Sequence, residues 1–255
     1  MTSLEHRNIL ITGASRGLGS VCAKAFAALG ARLVLMARSA ELLEEVRQAC
    51  LQPSRHRSVP ADLTDPGAIP AAVAETSDFL GCVDAVLHVA GGGLGLRDPL
   101  IEAPDLLRLF SLNVVAAAEI NRLVLPRMAE RAGGNLVHVA SISAAEANAS
   151  VGYNTVKAAL AAYVRSLGNT MAGSGVVVTG ILPGGFLAPG NSWDRLRAQK
   201  PEVVERFIEE RLPRRRLAEA AELVPLLAFL CSEGASMMGG CMVPIDAGEG
   251  RSYTP

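Results

Sequence analysis

The sequence predicts a doubly wound α/β fold, one parallel sheet of about seven strands with helices on both faces. Three observations predict it. Short apolar runs alternate along the chain with longer Ala-rich stretches of helical periodicity. Hydrophobic residues make up 50% of the 255 residues while aromatics are only 4%. Such a core is built from Ala, Val and Leu, which suits helices packed closely on a buried parallel sheet. No linker, low-complexity tract or solenoid repeat divides the chain, so residues 1–255 are expected to form one domain.

Asn8–Thr12 is a first strand stopped by Gly13, and Gly17–Leu29 a helix with Gly30 as its stop. Arg32–Met36 is a strand, and Glu41–Cys50 a helix with Ser39 as candidate N-cap. Arg57–Ala61 is a weak strand, Pro66–Phe79 a helix and Val83–Val89 a strand. Pro104–Arg131 reads as one long helix kinked near Pro126. Strand Asn135–Ala140, helix Gly152–Ala172 and strand Val176–Leu182 follow. The segment Gly184–Arg216 breaks the rhythm: it is Gly/Pro-rich, then charged and amphipathic over Ser192–Arg211, as an insertion over the sheet edge would be. Helix Ala218–Cys231 and strand Cys241–Ile245 close the domain.

Composition narrows the function classes. A formal charge of −1 leaves no electrostatic case for nucleic acid. No run of about 18 uncharged apolar residues exists, so no membrane-spanning helix is expected. The five cysteines are scattered and never form a C-x-x-C pair, which indicates neither a disulfide framework nor a metal site. The N-terminus is polar with no signal-peptide pattern, so a cytoplasmic location is the default.

Two motifs carry chemistry. Thr12-Gly13-Ala14-Ser15-Arg16-Gly17-Leu18-Gly19 directly follows the first strand. Glycines there permit a tight turn and close approach of backbone to phosphate, and the helix beginning beside them aims its first N–H groups at the anion. Further on, Tyr153 and Lys157 stand four apart and share one helix face. A free tyrosine has a pKa of about 10, a neighbouring ammonium favours the phenolate, and a tyrosine so tuned exchanges a proton with a carbonyl or alcohol oxygen.

The T-G-x-x-x-G-x-G spacing with Y-x-x-x-K downstream resembles the short-chain dehydrogenase/reductase family, over residues 6–248. The resemblance implies a Rossmann-type domain in which Gly13, Ser15, Arg16, Gly17, Leu18 and Gly19 hold the cofactor pyrophosphate. It implies that Asp62 and Leu63 contact the adenine, and that Ala90 and Gly91, in His88-Val89-Ala90-Gly91, line the cofactor. The family has Asn where this chain has His88, a substitution expected to leave a buried, hydrogen-bonded histidine. Strand two ends in Ala37-Arg38-Ser39 without the acid that would hold the 2′-OH of NAD. Arg38, Ser39 and Arg16 there point to NADP(H). By the same resemblance Tyr153 is the general acid/base, Ser141 orients the substrate oxygen, and Lys157 tunes Tyr153 and binds the nicotinamide ribose. Asn113 sits at a helix distortion and supports the proton relay. Ser141 precedes Tyr153 by twelve residues, one fewer than usual in the family, which leaves Ser143 as an alternative. Pro183, Gly184 and Phe186 meet the nicotinamide carboxamide, while Ala188 stands where the family often has threonine.

The expected function is an NADP(H)-dependent oxidoreductase acting on a carbonyl or secondary alcohol, 3-oxoacyl-thioester-reductase-like. The alternatives are an alcohol, polyol or sugar dehydrogenase working oxidatively, or an inert NADP-binding protein. Residues 186–212 are the expected substrate lid, with Arg214-Arg215-Arg216 either a solvated basic turn or a grip on an anionic substrate. The partner is a small molecule, and the assembly a homotetramer or homodimer.

Overall fold

The computed structural model describes residues 2–252. In chain order the strands are β1 (Asn8–Thr12), β2 (Arg32–Ala37), β3 (Arg57–Pro60), β4 (Ala85–His88), β5 (Gly134–Val139), β6 (Val176–Pro183), β7 (Phe186–Leu187), β8 (Ala218–Glu219) and β9 (Met242–Ile245). The helices are α1 (Gly17–Ala28), α2 (Ala40–Gln48), α3 (Ile69–Leu80), α4 (Ala103–Phe110), α5 (Ala116–Glu130), α6 (Val151–Met171), α7 (Ser192–Gln199), α8 (Pro201–Arg211) and α9 (Ala220–Leu230).

Seven strands form one parallel sheet in the order β3-β2-β1-β4-β5-β6-β9. The chain winds outward from β1 through β2 to β3, then returns to lay β4 on the other side of β1. Thr12 pairs with both Met36 and His88 at this reversal. A crevice opens there beyond the carboxyl ends of the strands, where open α/β sheets place their ligands.

Side-chain alternation divides the sheet between two apolar layers. Ile9, Ile11, Leu33 and Leu35 pack with Leu18, Phe26, Leu43 and Leu223 of α1, α2 and α9. Leu10, Val34, Met36 and Val86 pack with Ile69, Ile120, Val124 and Leu160 of α3, α5 and α6. Phe26 is the one aromatic ring among the largest fully buried side chains, so the small core residues set the close approach of helix and sheet.

Several expectations are corrected. The long helix is continuous over 103–130, yet its irregularity is a π turn at Ser111–Val115 and not at Pro126, which stands inside α5. Asn113 explains the position: its side-chain Nδ2 donates to Leu109 O at 2.9 Å, supplying the i−4 carbonyl with an amide proton from the side chain. By length and composition this stretch also qualifies to cross a membrane, although Glu119 and Arg122 interrupt it. Its Ala116, Ile120, Val124 and Met128 are instead covered by the second apolar layer. The stretch expected as one helix over 192–211 is two, broken at Lys200, because a residue before proline is pushed out of the helical region. The last helix starts at Ala220, since Ala218 and Glu219 pair with Phe186 and Leu187 in a small parallel sheet. Two-residue strands carry no periodicity for a sequence to reveal.

Candidate active site

The glycine motif forms the floor of the crevice at its phosphate end. Gly13 has φ +66°, and a Cβ there would stand 2.7 Å from Ala90 N. A Cβ on Gly19 would collide with Gly13 O. These two glycines let the turn and the first coil of α1 nest against the end of β4. Gly17, at φ +62°, faces open space. Arg16 occupies the N-cap of α1 without a capping side chain, so the helix start is free of a protein anion. Ser15 is half-buried and Arg16 exposed; Leu18 is buried. The N–H of Gly17 donates to Pro189 O at 2.9 Å, which ties the start of the 186–212 segment to the motif. The Thr12 hydroxyl, a contact the spacing alone did not reveal, accepts from Val89 N and Ala90 N at 3.2 Å each and fastens β1 to the turn after β4.

That turn, Ala90 to Gly93, gathers the remaining groups. Asn113 Oδ1 accepts from Gly92 N at 3.0 Å and its Nδ2 donates to Gly92 O at 3.1 Å, a two-point clamp on the backbone of one residue. A Cβ on Gly91 would be 2.8 Å from Asn113 Oδ1 and 3.2 Å from Lys157 Nζ. The backbone of Gly91 therefore touches both side chains, and glycine is the residue that fits. Gly93 faces the Tyr153 ring. The π turn thus aims Asn113 off the helix and into the site.

Tyr153 and Lys157 share a face of α6, with Lys157 Nζ 5.6 Å from the Tyr153 ring centre. Lys157 is 4% exposed and donates to Val139 O, at the end of β5, at 3.0 Å. Burial lowers its pKa to about 8. Burial also raises the Tyr153 pKa, and the Ser141 hydroxyl beside it opposes the rise. The sequence-based expectation was a phenol made more acidic by Lys157; in this site desolvation dominates and the phenol is held protonated. The loop from Ser141 to Tyr153 is closed by Asn154, whose Nδ2 donates to Ser143 O at 3.0 Å and also to Glu146 O, while its Oδ1 accepts from Ala149 N at 3.1 Å. Asn154 lies inside Y-x-x-x-K, but nothing in the motif marks it as the stitch.

At the adenosine end, Ser39 caps α2 by accepting from Leu42 N at 3.3 Å. Asp62 is exposed, and its Oδ1 accepts from Thr64 N and Thr64 Oγ1 at 2.9 and 2.8 Å; these bonds and Arg38 nearby hold its pKa down. Leu63 is buried beneath it. Arg38 is exposed, and neither it nor Arg16 makes an ion pair among the described residues.

Beyond Pro183, a Cβ on Gly184 would meet Glu249 Oε2 at 2.5 Å, and Gly185 N donates to that oxygen at 2.6 Å. Glu249 is 5% exposed, and burial raises its pKa. A cavity of about 410 Å³ lies between Phe186, Leu212, Arg214, Arg216 and Asp246. Arg214 and Arg216 both pair with Glu222, at 2.8 and 2.7 Å, and Arg215 donates to Glu209 O at 2.6 Å, so this turn is tied down by the protein's own acceptors. Ala188 is buried in the first apolar layer and brings no hydroxyl to the site. Helices α7 and α8 form a small core of their own, with Trp193 and Phe207 rings 4.3 Å apart.

Beneath the site, His88 is buried and hydrogen-bonded as expected. Its Nε2 meets Asn121 Oδ1 at 2.8 Å, and its ring stacks on His138 at 4.6 Å. His138 Nδ1 meets Thr179 O at 3.1 Å, and Asn121 Nδ2 meets His138 Nε2 and Tyr163 Oη at 3.1 Å each. A carbonyl only accepts, so His138 carries its proton on Nδ1 and accepts at Nε2. Asn121 then presents its amide to His138 and its oxygen to His88, whose proton sits on Nε2. Burial depresses both histidines, His88 to about 4. Asn121 and His138 escaped sequence reasoning because they meet only when α5, β4 and β5 pack.

Comparison with known proteins bears on this geometry. The profile of a family described as Enoyl-(Acyl carrier protein) reductase matches residues 13–249. Oxidoreductase UcpA of Escherichia coli strain K12 is 31% identical over 97% of this chain and 96% of its own. Among solved structures, L-sorbose reductase from Gluconobacter frateurii, complexed with NADPH and L-sorbose, has a TM-score of 0.91 at 28% identity, covering 99% of both chains. A 3-oxoacyl (acyl-carrier-protein) reductase from Agrobacterium tumefaciens C58 with NADP bound has a TM-score of 0.89 at 25% identity, covering 97% of this chain and 95% of its own.

Proposed function

Because the chain belongs to the short-chain dehydrogenase/reductase family of oxidoreductases, we propose that it is an NADP(H)-dependent reductase of a ketone or 3-oxoacyl thioester with Tyr153 as general acid. The observation that carries the reading is the convergence of Asn113, Lys157 and Tyr153 on the glycine turn after β4, beside a start of α1 that has neither a side-chain cap nor an acidic residue in its first turn. The glycine cradle at residues 13 to 19 fits a pyrophosphate, since its approach to Ala90 leaves no room for side chains and Gly17 faces open space. Arg16 and Arg38, unpaired beside an Ala37 that is no acid, favour a 2′-phosphate. The bound nicotinamide supplies the hydride chemistry.

The protein's part is positioning and one proton. Tyr153, kept protonated by burial, donates to the carbonyl oxygen as charge develops there. Ser141 orients that oxygen. Lys157, fixed by Val139 O, places positive charge beside the phenolate that remains. Asn113 holds Gly92 and so the wall against which the substrate lies. A phenol held neutral favours reduction over oxidation as the working direction, and two of the similar structures are named as reductases. The 186–212 segment is the substrate lid, hinged at Gly184-Gly185 and Pro189-Gly190.

The test is absorbance of NADPH and of NADH with 3-oxoacyl thioesters, simple ketones and keto-sugars side by side. NADPH oxidation with at least one ketone class is expected. Absence of turnover with all of them, alongside tight NADPH binding, favours the inert NADP-binding alternative.

A further inference from the structure

Residues 246–252 form a strap across the carboxyl edge of the sheet. After β9, Asp246 folds the chain back on itself, its Oδ1 accepting from Gly248 N and its Oδ2 from Gly250 N at 3.0 Å each. Glu249 then reaches the turn after β6, where its Oε2 accepts from Gly185 N at 2.6 Å. Arg251 N and Ser252 N both donate to Glu146 Oε1, the latter at 2.8 Å. Glu146 belongs to the loop between Ser141 and Tyr153. Its backbone oxygen accepts from Asn154 Nδ2, and its carboxylate faces Arg211 of α8 at 3.8 Å. One short segment thus joins the turn after β6 to the loop that leads into α6.

The turn it grips runs along the crevice. Val139 pairs with Ile181, so the ends of β5 and β6 lie side by side, and Gly184 emerges next to the strand end that holds Lys157. A few residues later Pro189 O accepts from Gly17 N at the glycine motif. A dinucleotide laid from Tyr153 to Gly17 passes beside 184–189, with its nicotinamide half at Gly184-Gly185. Both glycines serve room, since neither has a positive φ. A Cβ on Gly184 would stand 2.5 Å from Glu249 Oε2, and one on Gly185 would stand 2.8 Å from a Leu217 methyl carbon. The other bonds on this turn are longer and neutral: Gly184 N to Ile245 O at 3.3 Å, and Ala218 N to Gly185 O at 3.2 Å. The charge-assisted bond to Glu249 is the strong one, and at 5% exposure water does not replace it.

We propose that residues 246–252 preset the nicotinamide half of the cofactor site, with Glu249 the positioning residue for Gly184-Gly185 and Glu146 the anchor of the strap's end. The inference rests on the reading of the crevice as an NADP(H) site. Glu249 acts through the backbone of Gly185 and not on the reacting atoms. With its bond in place the turn already stands in its binding position, and the cofactor bears no cost of ordering it. Without the bond the turn samples other positions at the lid hinge, and affinity falls by the fraction of time it is out of place. The adenine half, at Arg16, Arg38 and Ser39, is held independently of the strap.

The experiment titrates the whole protein by calorimetry with NADPH and with adenosine 2′,5′-bisphosphate, which carries the adenine half alone. Glu249→Ala should weaken NADPH about tenfold, the low end of what one charge-assisted hydrogen bond is worth, and leave the fragment's affinity unmoved. Glu249→Gln keeps an oxygen for Gly185 N and restores NADPH affinity, which a general loosening of the fold does not do. Unmoved NADPH affinity in Glu249→Ala, equal weakening of both ligands, or a Gln variant that behaves like Ala overturns the proposal. Should Glu249→Ala fail to fold, Glu146→Ala releases the other end of the strap and carries the same expectation, and unmoved NADPH affinity there overturns it equally. Hydrogen exchange of the cofactor-free protein reads the same pin: amides of 185–187 should exchange faster in Glu249→Ala and as in wild type in Glu249→Gln, and unchanged exchange in Ala sinks the idea. A wild type that binds neither ligand overturns the cofactor reading, while the exchange result still decides whether Glu249 holds the turn.

Discussion

Lowering the pH should unfold this protein through its buried histidines. His88 is fully enclosed, and its pKa falls from 6.5 to about 4 because burial penalises the imidazolium more than its Asn121 partner favours it. For a base depressed in the folded state, the unfolded chain binds more protons between the two values. The stability is thus present above about pH 6.5 and is lost as pH falls toward 4. At about 1.36 kcal/mol per pH unit, the 1.5 units down to pH 5 cost about 2 kcal/mol from His88 alone. His138, held neutral by the same burial, adds loss in the same direction. Against a typical total of about 5–15 kcal/mol this is a large share. The assay is urea unfolding of wild type and His88→Asn at pH 7.5 and 5. Asparagine does not titrate, so the stability gap between the two proteins should shift by about 2 kcal/mol in favour of the variant at pH 5. A gap that stays constant within about 0.5 kcal/mol would refute the claim that His88 is held neutral.

Tyr153→Phe should lower kcat by about 10²–10⁴-fold with NADPH affinity kept, measured by single-turnover kinetics and cofactor titration; activity within a factor of about two would assign the proton to another group. Arg38→Ala should weaken NADPH about ten- to a hundredfold and leave NADH nearly unchanged, read by fluorescence titration of both cofactors. Glu249→Gln keeps an acceptor for Gly185 N without a buried charge. Since the carboxyl pKa is raised in the folded state, the carboxylate costs stability as pH rises through that value. The variant should therefore melt higher than wild type at pH 7.5, with the gap closing toward pH 4. Leu107 and Val151, 67% and 51% exposed on α4 and α6, are proposed to be covered by other copies of the chain. Light scattering should give two or four times 26.6 kDa, and a monomer mass would contradict it.

Much of the site was legible because its signals are local. Thr12 to Gly19 announces a strand, a tight turn and a helix start in eight consecutive residues, and each glycine is needed within that short span. Tyr153 and Lys157 are read from helix geometry alone. Asn113 was conspicuous as a poor helix residue among Leu and Val, and the π turn there gives the misfit its use. What was illegible depends on partners far away in the chain. The acidity of Tyr153 was read with the wrong sign, because a four-residue spacing shows the neighbouring ammonium but not the wall that removes water.

By itself, then, the sequence determined the order and type of the main elements, the parallel winding and the residues at the glycine turn, since periodicity, caps and turns act within a few residues. Only the tertiary structure decided the protonation of Tyr153 and Lys157, the tautomers of His88 and His138, and the burial of Glu249 against Gly185. Each of these is a balance between desolvation and a hydrogen-bond partner supplied by another element. Such a balance has no value until packing fixes which atoms meet and how much water is left between them.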